Sequence, residues 1–170
     1  ATLLNDEGYD DIVFVLIGEG DQKYALEKNV SLRKLSNVHF LDHVDRPALL
    51  VMLAWGDVGL ATVRDSKLYR YGLSLNKLFE YMGAGMPVIF SADTDYDPVS
   101  EAQCGLTIPA ENPRALADAA IALCRRPQDE LDEMAARGLA HIRDNYSYGR
   151  LAHRYLEQLQ SLPTMHGGGV

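Results

Sequence analysis

The sequence predicts an α/β domain built on a doubly wound, parallel sheet. Two observations carry that prediction. Short apolar runs rich in β-branched residues alternate with segments of helical spacing along nearly the whole chain. With 170 residues, 47% of them hydrophobic, the chain is long enough to bury one sizeable core and so reads as a single domain.

Each element has its own warrant. Residues 12–17 (IVFVLI) form an unbroken β-branched run, as a strand buried on both faces requires. Residues 21–35 are polar, with Leu26, Val30 and Leu35 near helical spacing. A second strand covers 38–41, and a helix covers 47–55 with Pro47 in its first turn. Residues 57–61 are a third strand, 75–83 a helix, 88–91 a fourth strand, 99–103 a short helix and 106–108 a fifth strand. Helices over 113–124, 128–145 and 149–162 complete the series. Strands regularly followed by helices imply parallel pairing with right-handed crossovers and helices on both faces.

The two ends read differently. Residues 1–8 look like the last turn of a helix without its beginning, which predicts a fragment of a longer protein. The domain therefore spans 1–162, and 163–170 is expected to be a frayed tail.

Composition excludes several classes. Sixteen Lys and Arg against 24 Asp and Glu give a net charge of -8, which disfavours a general nucleic-acid or anionic-membrane surface. A bound phosphate would need a local exception to that acidity. Cys104 and Cys124 fit neither a zinc spacing nor a disulfide framework, and both are expected as buried free thiols in a reducing cytoplasm. Neither a signal peptide nor an apolar run long enough to span a bilayer is visible. No spacing supports a metal site.

In a doubly wound sheet, ligands bind beyond the carboxyl ends of the strands, where the strand order reverses. That rule selects the loops 18–21, 42–45, 62–74 and 92–98. Gly18-Glu19-Gly20 begins a dinucleotide fingerprint, but its third glycine would fall at Lys23. The turn reads either as a tight strand-to-helix connection or as side-chain-free backbone that a flat ligand approaches. The two readings are compatible.

The loop after the third strand is the informative one. Arg64, Lys67, Arg70 and Lys77 stand there against a single acid, Asp65. They form either a solvated basic patch or a cradle for phosphate. Ser74 is placed to cap the next helix, presenting the amides of Leu75, Asn76 and Lys77. Such amides and the helix dipole are worth about 0.3–1 kcal/mol to a nearby anion. Glu80 lies three residues past Lys77 and four past Asn76, so the three share a face. It either pairs with Lys77 or accepts from two adjacent sugar hydroxyls, as on a ribose.

Residues 72–91 (GLSLNKLFEYMGAGMPVIFS) resemble the nucleotide-sugar loop of retaining GT-B-type glycosyltransferases, the family 4 or "group 1" class. Residues 12–20 resemble that family's strand and Gly-x-Gly turn, 38–44 its V-x-F-L-G-x-V segment, and 104–119 its closing segment around Glu-Asn-Pro. The resemblance implies a Rossmann-like C-terminal half of a GT-B architecture, taking a nucleoside-diphosphate sugar as donor without a cofactor or metal. Glu80 matches the second glutamate of the family's Glu-x7-Glu motif, which binds ribose hydroxyls. The backbone at Leu75, Asn76 and Lys77 matches the amides that hold the diphosphate, and Val44 with Gly18, Glu19 and Gly20 matches the region near the base. The first motif glutamate would fall at Gly72, so its role near the donor sugar is unfilled.

The wording Ser-Leu-Asn-Lys is similar to a subgroup acting on sugars of bacterial surface polysaccharides. By the same resemblance the chain lacks an N-terminal domain and a first strand, and it is expected to transfer no sugar alone. The full-length protein is expected in the cytoplasm, peripheral to the inner membrane, with membrane contact only through the absent domain or a lipid-linked acceptor. Two alternatives stay open: a sugar-nucleotide epimerase of the same architecture, and a non-enzymatic α/β ligand-binding module such as a phospho-receiver. The first needs a catalytic set that His39, His43, His141, His153 and His166 do not visibly assemble. The second needs clustered aspartates where Gly18-Glu19-Gly20 stands.

Overall fold

A computed structural model describes residues 1–71, 73 and 75–161, with backbone only at 70 and 71. Along the chain lie α1 (Thr2–Asp6), β1 (Phe14–Ile17), α2 (Lys23–Leu32), β2 (Val38–Leu41), α3 (Arg46–Leu53) and β3 (Gly59–Thr62). A 3-10 turn, Lys67–Tyr71, then leads to α4 (Asn76–Gly83), β4 (Val88–Ser91), α5 (Pro98–Ala102) and β5 (Gly105–Ile108). Helices α6 (Pro113–Cys124), α7 (Gln128–Tyr146) and α8 (Tyr148–Ser161) follow.

All pairing is parallel, as the alternation predicts, but it falls into two sheets. β1 pairs with β2, Phe14 opposite Val38, and β3, β4 and β5 pair in that order. Among the described residues no ladder joins β1 to β3.

β4 is the centre of the larger sheet, and all four of its residues are buried. Its side chains alternate between two cores, as strand geometry requires. Val88 and Phe90 join Ala61, Leu78, Met82, Val99 and Cys104 on the α4 face. Ile89 joins Leu4, Ala117, Ala120, Leu123 and Met134 on the α1 and α6 face. Helix α7 serves both, with Met134 in one core and Ile142 against the other. Gly138 lets it pass close to the sheet edge, because a Cβ there would lie 3.0 Å from Cys104 Cβ.

The smaller sheet departs from expectation. β1 is not buried on both faces: Val15 is 54% and Leu16 40% exposed. Helix α2 buries none of its residues, and Leu26, Leu32, Leu50, Val51 and Trp55 are exposed. A central parallel strand needs neighbours on both edges and cover on both faces, and among the described residues β1 pairs with β2 alone. Cys124 is also exposed, against the expectation of two buried thiols, because the last residue of α6 faces solvent. Cys104 is buried and free as expected. The described part of the domain ends at Ser161, and residues 162–170 lie outside it.

Candidate functional site

Parallel pairing brings the ends of β1 and β2 to one edge and those of β3, β4 and β5 to another. A run of side-chain and backbone contacts links the two edges. Gly18 N donates to Leu41 O at 3.1 Å, tying the first turn to the end of β2. Lys23 Nζ donates to Leu41 O at 3.3 Å and to Asp42 Oδ1 at 2.6 Å. The Lys23 ammonium is held above its ordinary pKa and the Asp42 carboxyl below its own, each by that mutual hydrogen bond. Gly18 adopts φ 135°, a backbone region in which a side chain is strained, so the turn requires glycine there.

The loop after β2 then delivers α3. Asp45 caps that helix, its Oδ1 accepting from Ala48 N at 2.9 Å, and Pro47 occupies the first turn. Arg46 follows the cap and reaches towards α4, its Nη2 lying 3.8 Å from Glu80 Oε1. Val44, half-buried, is two residues from this contact.

Glu80 sits one turn into α4 with 30% of its side chain exposed. Asn76 and Lys77 open the helix and are exposed. Among the described residues Glu80 pairs with Arg46 rather than with Lys77. Its charge, after burial, contributes to holding the Tyr81 phenol above its ordinary pKa. Leu78 and Met82, on the opposite side, anchor the helix in the core, so the polar face turns away from it.

One expectation is corrected at the helix start. The N-cap is Leu75, not Ser74, and it offers no side-chain cap. Its carbonyl accepts from Leu78 N at 3.0 Å, so Asn76 and Lys77 supply the leading amides and Leu75 lies just outside the helix. The reason lies in backbone geometry: Leu75 is extended, at φ -113° and ψ 106°, and helical angles begin only with Asn76. Gly72, the position of the first motif glutamate, lies outside the described residues, as does Ser74.

The basic loop is tied to the loop after β4. Thr94 Oγ1 donates to Tyr69 O at 2.9 Å, pinning the 3-10 turn to the loop after β4. Arg64 and Lys67 are exposed and make no ion pair among the described residues; the side chain of Arg70 lies outside them. Glu19 and Gly20 are exposed beside the Gly18 turn. Sequence reading missed Arg46, Thr94 and the Lys23–Asp42 clasp. The signal for Arg46 was present in Asp45-Arg46-Pro47, a cap followed by proline in the first turn, which starts the helix one residue before Pro47.

Among the described residues no three His, Cys, Asp or Glu cluster as metal ligands, and no helix is long and apolar enough to cross a membrane.

Residues 1–126 match the profile of the family described as Glycosyl transferases group 1. The chain belongs to that family. It is 26% identical over 159 residues to a phosphatidyl-myo-inositol mannosyltransferase of Mycobacterium leprae, covering 93% of this chain and 40% of that protein. The chain thus spans two fifths of that relative's length. Its fold is that of a GT-B C-terminal domain. Sucrose-phosphate synthase from Thermosynechococcus elongatus superposes with a TM-score of 0.69 at 20% identity, over 94% of this chain and 41% of its own. Anabaena HepE in complex with UDP-glucose superposes with a TM-score of 0.67 at 18% identity, over 88% and 41%. An E. coli trehalose-6-phosphate structure bound with UDP-2-fluoro glucose does so with 0.73 at 19%, over 95% and 39%.

Proposed function

We propose that this chain is the nucleotide-diphospho-sugar-binding half of a retaining hexosyltransferase acting in bacterial surface polysaccharide or glycoconjugate biosynthesis. One observation carries the reading. Helix α4 opens beside the strand ends with Asn76 and Lys77 at its start and Glu80 one turn in, linked through Arg46 to the loops that hold Val44 and Gly18. The UDP and UDP-sugar complexes of the structural relatives support the same donor class for this chain.

Each group then has a task. The Asn76 and Lys77 amides and the Lys77 ammonium meet the diphosphate, where helix dipole and charge act together. Glu80 accepts from the two ribose hydroxyls. Val44 and the Gly18, Glu19 and Gly20 turn border the base. Arg64, Lys67 and Arg70 supply positive charge near the phosphates in an otherwise acidic chain. As the glycosidic bond to the leaving diphosphate lengthens, charge develops on its oxygens. Preorganised amides and cations stabilise that charge without a resident metal. The acceptor is held by a domain outside residues 1–170, and closure aligns the two. Cytoplasmic residence, with membrane contact only through that domain or a lipid-linked acceptor, belongs to the same reading.

Titration calorimetry with a panel of nucleoside diphosphates, their sugar conjugates and the free nucleosides tests it. The expected order is diphosphate above nucleoside, with one base preferred. Binding of diphosphates no tighter than that of pyrophosphate or sulfate at matched ionic strength retires the proposal. Acceptor glycosylation by residues 1–170 alone would overturn the two-domain division of labour.

A further inference from the structure

The stretch between β3 and α4 carries a local excess of positive charge, and its anchorage is uneven. Val63 and Leu73 pack against the core on the α4 face, one towards each end. Between them the Lys67–Tyr71 turn closes on itself at Ser66. Tyr69 N donates to Ser66 O at 3.0 Å, and Leu68 N to Ser66 Oγ at 3.3 Å. Lys67 and Leu68 are exposed. Among the described residues a single hydrogen bond ties residues 64–69 to another part of the chain, from Thr94 Oγ1 to Tyr69 O at 2.9 Å.

The loop that supplies Thr94 is itself braced. Thr94 Oγ1 also accepts from Tyr96 N at 3.2 Å, so the hydroxyl that holds the turn shapes its own loop. Tyr96 then reaches α7, its hydroxyl donating to that of Tyr146 at 2.6 Å. Burial, and after it that hydrogen bond, holds the Tyr96 phenol well above its ordinary pKa, which keeps it a neutral donor. The Tyr146 ring packs on Phe79 of α4, with centroids 4.9 Å apart. Tyr69, Thr94, Tyr96, Tyr146 and Phe79 thus make one run of contacts. It passes from the basic turn, through the loop after β4 and the end of α7, to the helix that opens with Asn76 and Lys77.

A loop held only at its ends samples many arrangements, and ordering it on binding takes free energy from the contact. A tie at its middle removes much of that cost beforehand. We infer that Thr94 is a positioning residue. It holds the Lys67–Tyr71 turn, and with it the cationic residues Lys67 and Arg70, in a fixed place relative to the start of α4, so that turn and helix meet the same diphosphate. The inference rests on the donor-binding reading given above. In this role Thr94 touches neither base nor sugar. It acts on the phosphates through the turn, and nucleoside binding does not depend on it.

Thr94→Val keeps the shape of the side chain and removes the hydroxyl, whereas Thr94→Ser keeps the hydroxyl. Calorimetry of the parent and both variants uses whichever of UDP, GDP, ADP and dTDP the parent binds tightest, its nucleoside, and pyrophosphate. Thr94→Val is expected to weaken the diphosphate about three- to tenfold, as loss of one net hydrogen bond does, and to leave the nucleoside unchanged. Its diphosphate affinity should also fall less steeply with ionic strength, because less positive charge meets the phosphates. Thr94→Ser is expected to behave as the parent. Without ligand, the Leu68 and Tyr69 amides should exchange faster in Thr94→Val than in the parent, as the turn comes loose.

A Thr94→Val chain that binds the diphosphate as tightly as the parent overturns the inference, as does unchanged exchange at Leu68 and Tyr69. An equal loss for diphosphate and nucleoside overturns it too, since that marks general damage to the fold, and so does a Thr94→Ser chain as weak as Thr94→Val. Failure of the donor reading looks different. The parent itself then binds no diphosphate tighter than pyrophosphate, and the inference falls with it.

Discussion

Arg46 and Glu80 approach to 3.8 Å across the start of α3 and the first turn of α4, joining the ends of the two sheets. The contact gives Glu80 a partner on another element in place of Lys77 on its own helix. At 3.8 Å, with the Arg46 side chain largely exposed, it is a loose surface pair worth about 0–1 kcal/mol. A loose pair orients a carboxylate without occupying it. On the proposed reading, this leaves the Glu80 oxygens to accept from the ribose and the Lys77 ammonium to meet the phosphates.

Glu80→Gln separates these roles. If Glu80 holds the ribose as proposed, replacing the carboxylate removes a charge-assisted contact worth about 1.5–3 kcal/mol, and nucleoside diphosphate affinity is expected to fall about ten- to hundredfold. The melting temperature changes little, since only the loose Arg46 pair is lost. Calorimetry and thermal unfolding of this variant check both statements, and an unchanged dissociation constant retires the ribose role. Arg46→Ala is expected to shift affinity by less than Glu80→Gln does.

The two thiols divide by burial. Cys104 is buried, and burial pushes its pKa up to about 11, whereas Cys124 is exposed at the end of α6. Maleimide at neutral pH is expected to label one thiol of the folded chain, Cys124, and two after unfolding, as intact mass will show. The raised pKa also sets a pH dependence. Between the ordinary thiol value of 9.0 and about 11 the folded state keeps a proton that the unfolded state releases. The Cys104 contribution is therefore fully present below pH 9.0 and is lost as pH rises through about 11. Cys104→Ala should flatten that part of a denaturation-midpoint profile.

What the sequence made legible follows from which signals are local. β4 reads from its apolar run because both its faces meet helices, and all four residues are buried. The strands and most helices fall where periodicity places them. The carboxyl end of β1 is legible, but its start, at Phe14 and not at residue 12, is not, and nor is its exposure, because burial on both faces depends on a neighbouring strand at the β3 side. The Lys67–Tyr71 turn has no periodic signature, being held by Thr94 from a distant loop. The Glu80 position was legible from its spacing to Asn76 and Lys77. Its partner was not, since Arg46 is distant in sequence and meets it only once the chain has folded.

The last prediction concerns how closely the sheet is packed at β4. A Cβ built on Gly105 would lie 1.9 Å from the carbonyl oxygen of Val88, a backbone atom of the central strand. That oxygen cannot swing aside as a side chain would. Val88 N also accepts its place in the ladder by donating to Cys104 O at 3.1 Å, so moving the strand breaks pairing as well. Gly105→Ala therefore forces β5 away from β4 and is expected to cost about 3 kcal/mol or more, at the upper end of overpacking changes. Gly149 offers the contrasting case. It lies in the first turn of α8 with nothing within 4 Å of its added Cβ and no positive φ. Gly149→Ala is expected to leave stability unchanged or raise it by about 0.5–1 kcal/mol through helix propensity. Urea midpoints of the two variants decide the matter: a Gly105→Ala midpoint within error of the parent would mean that β5 and β4 are not packed at this distance.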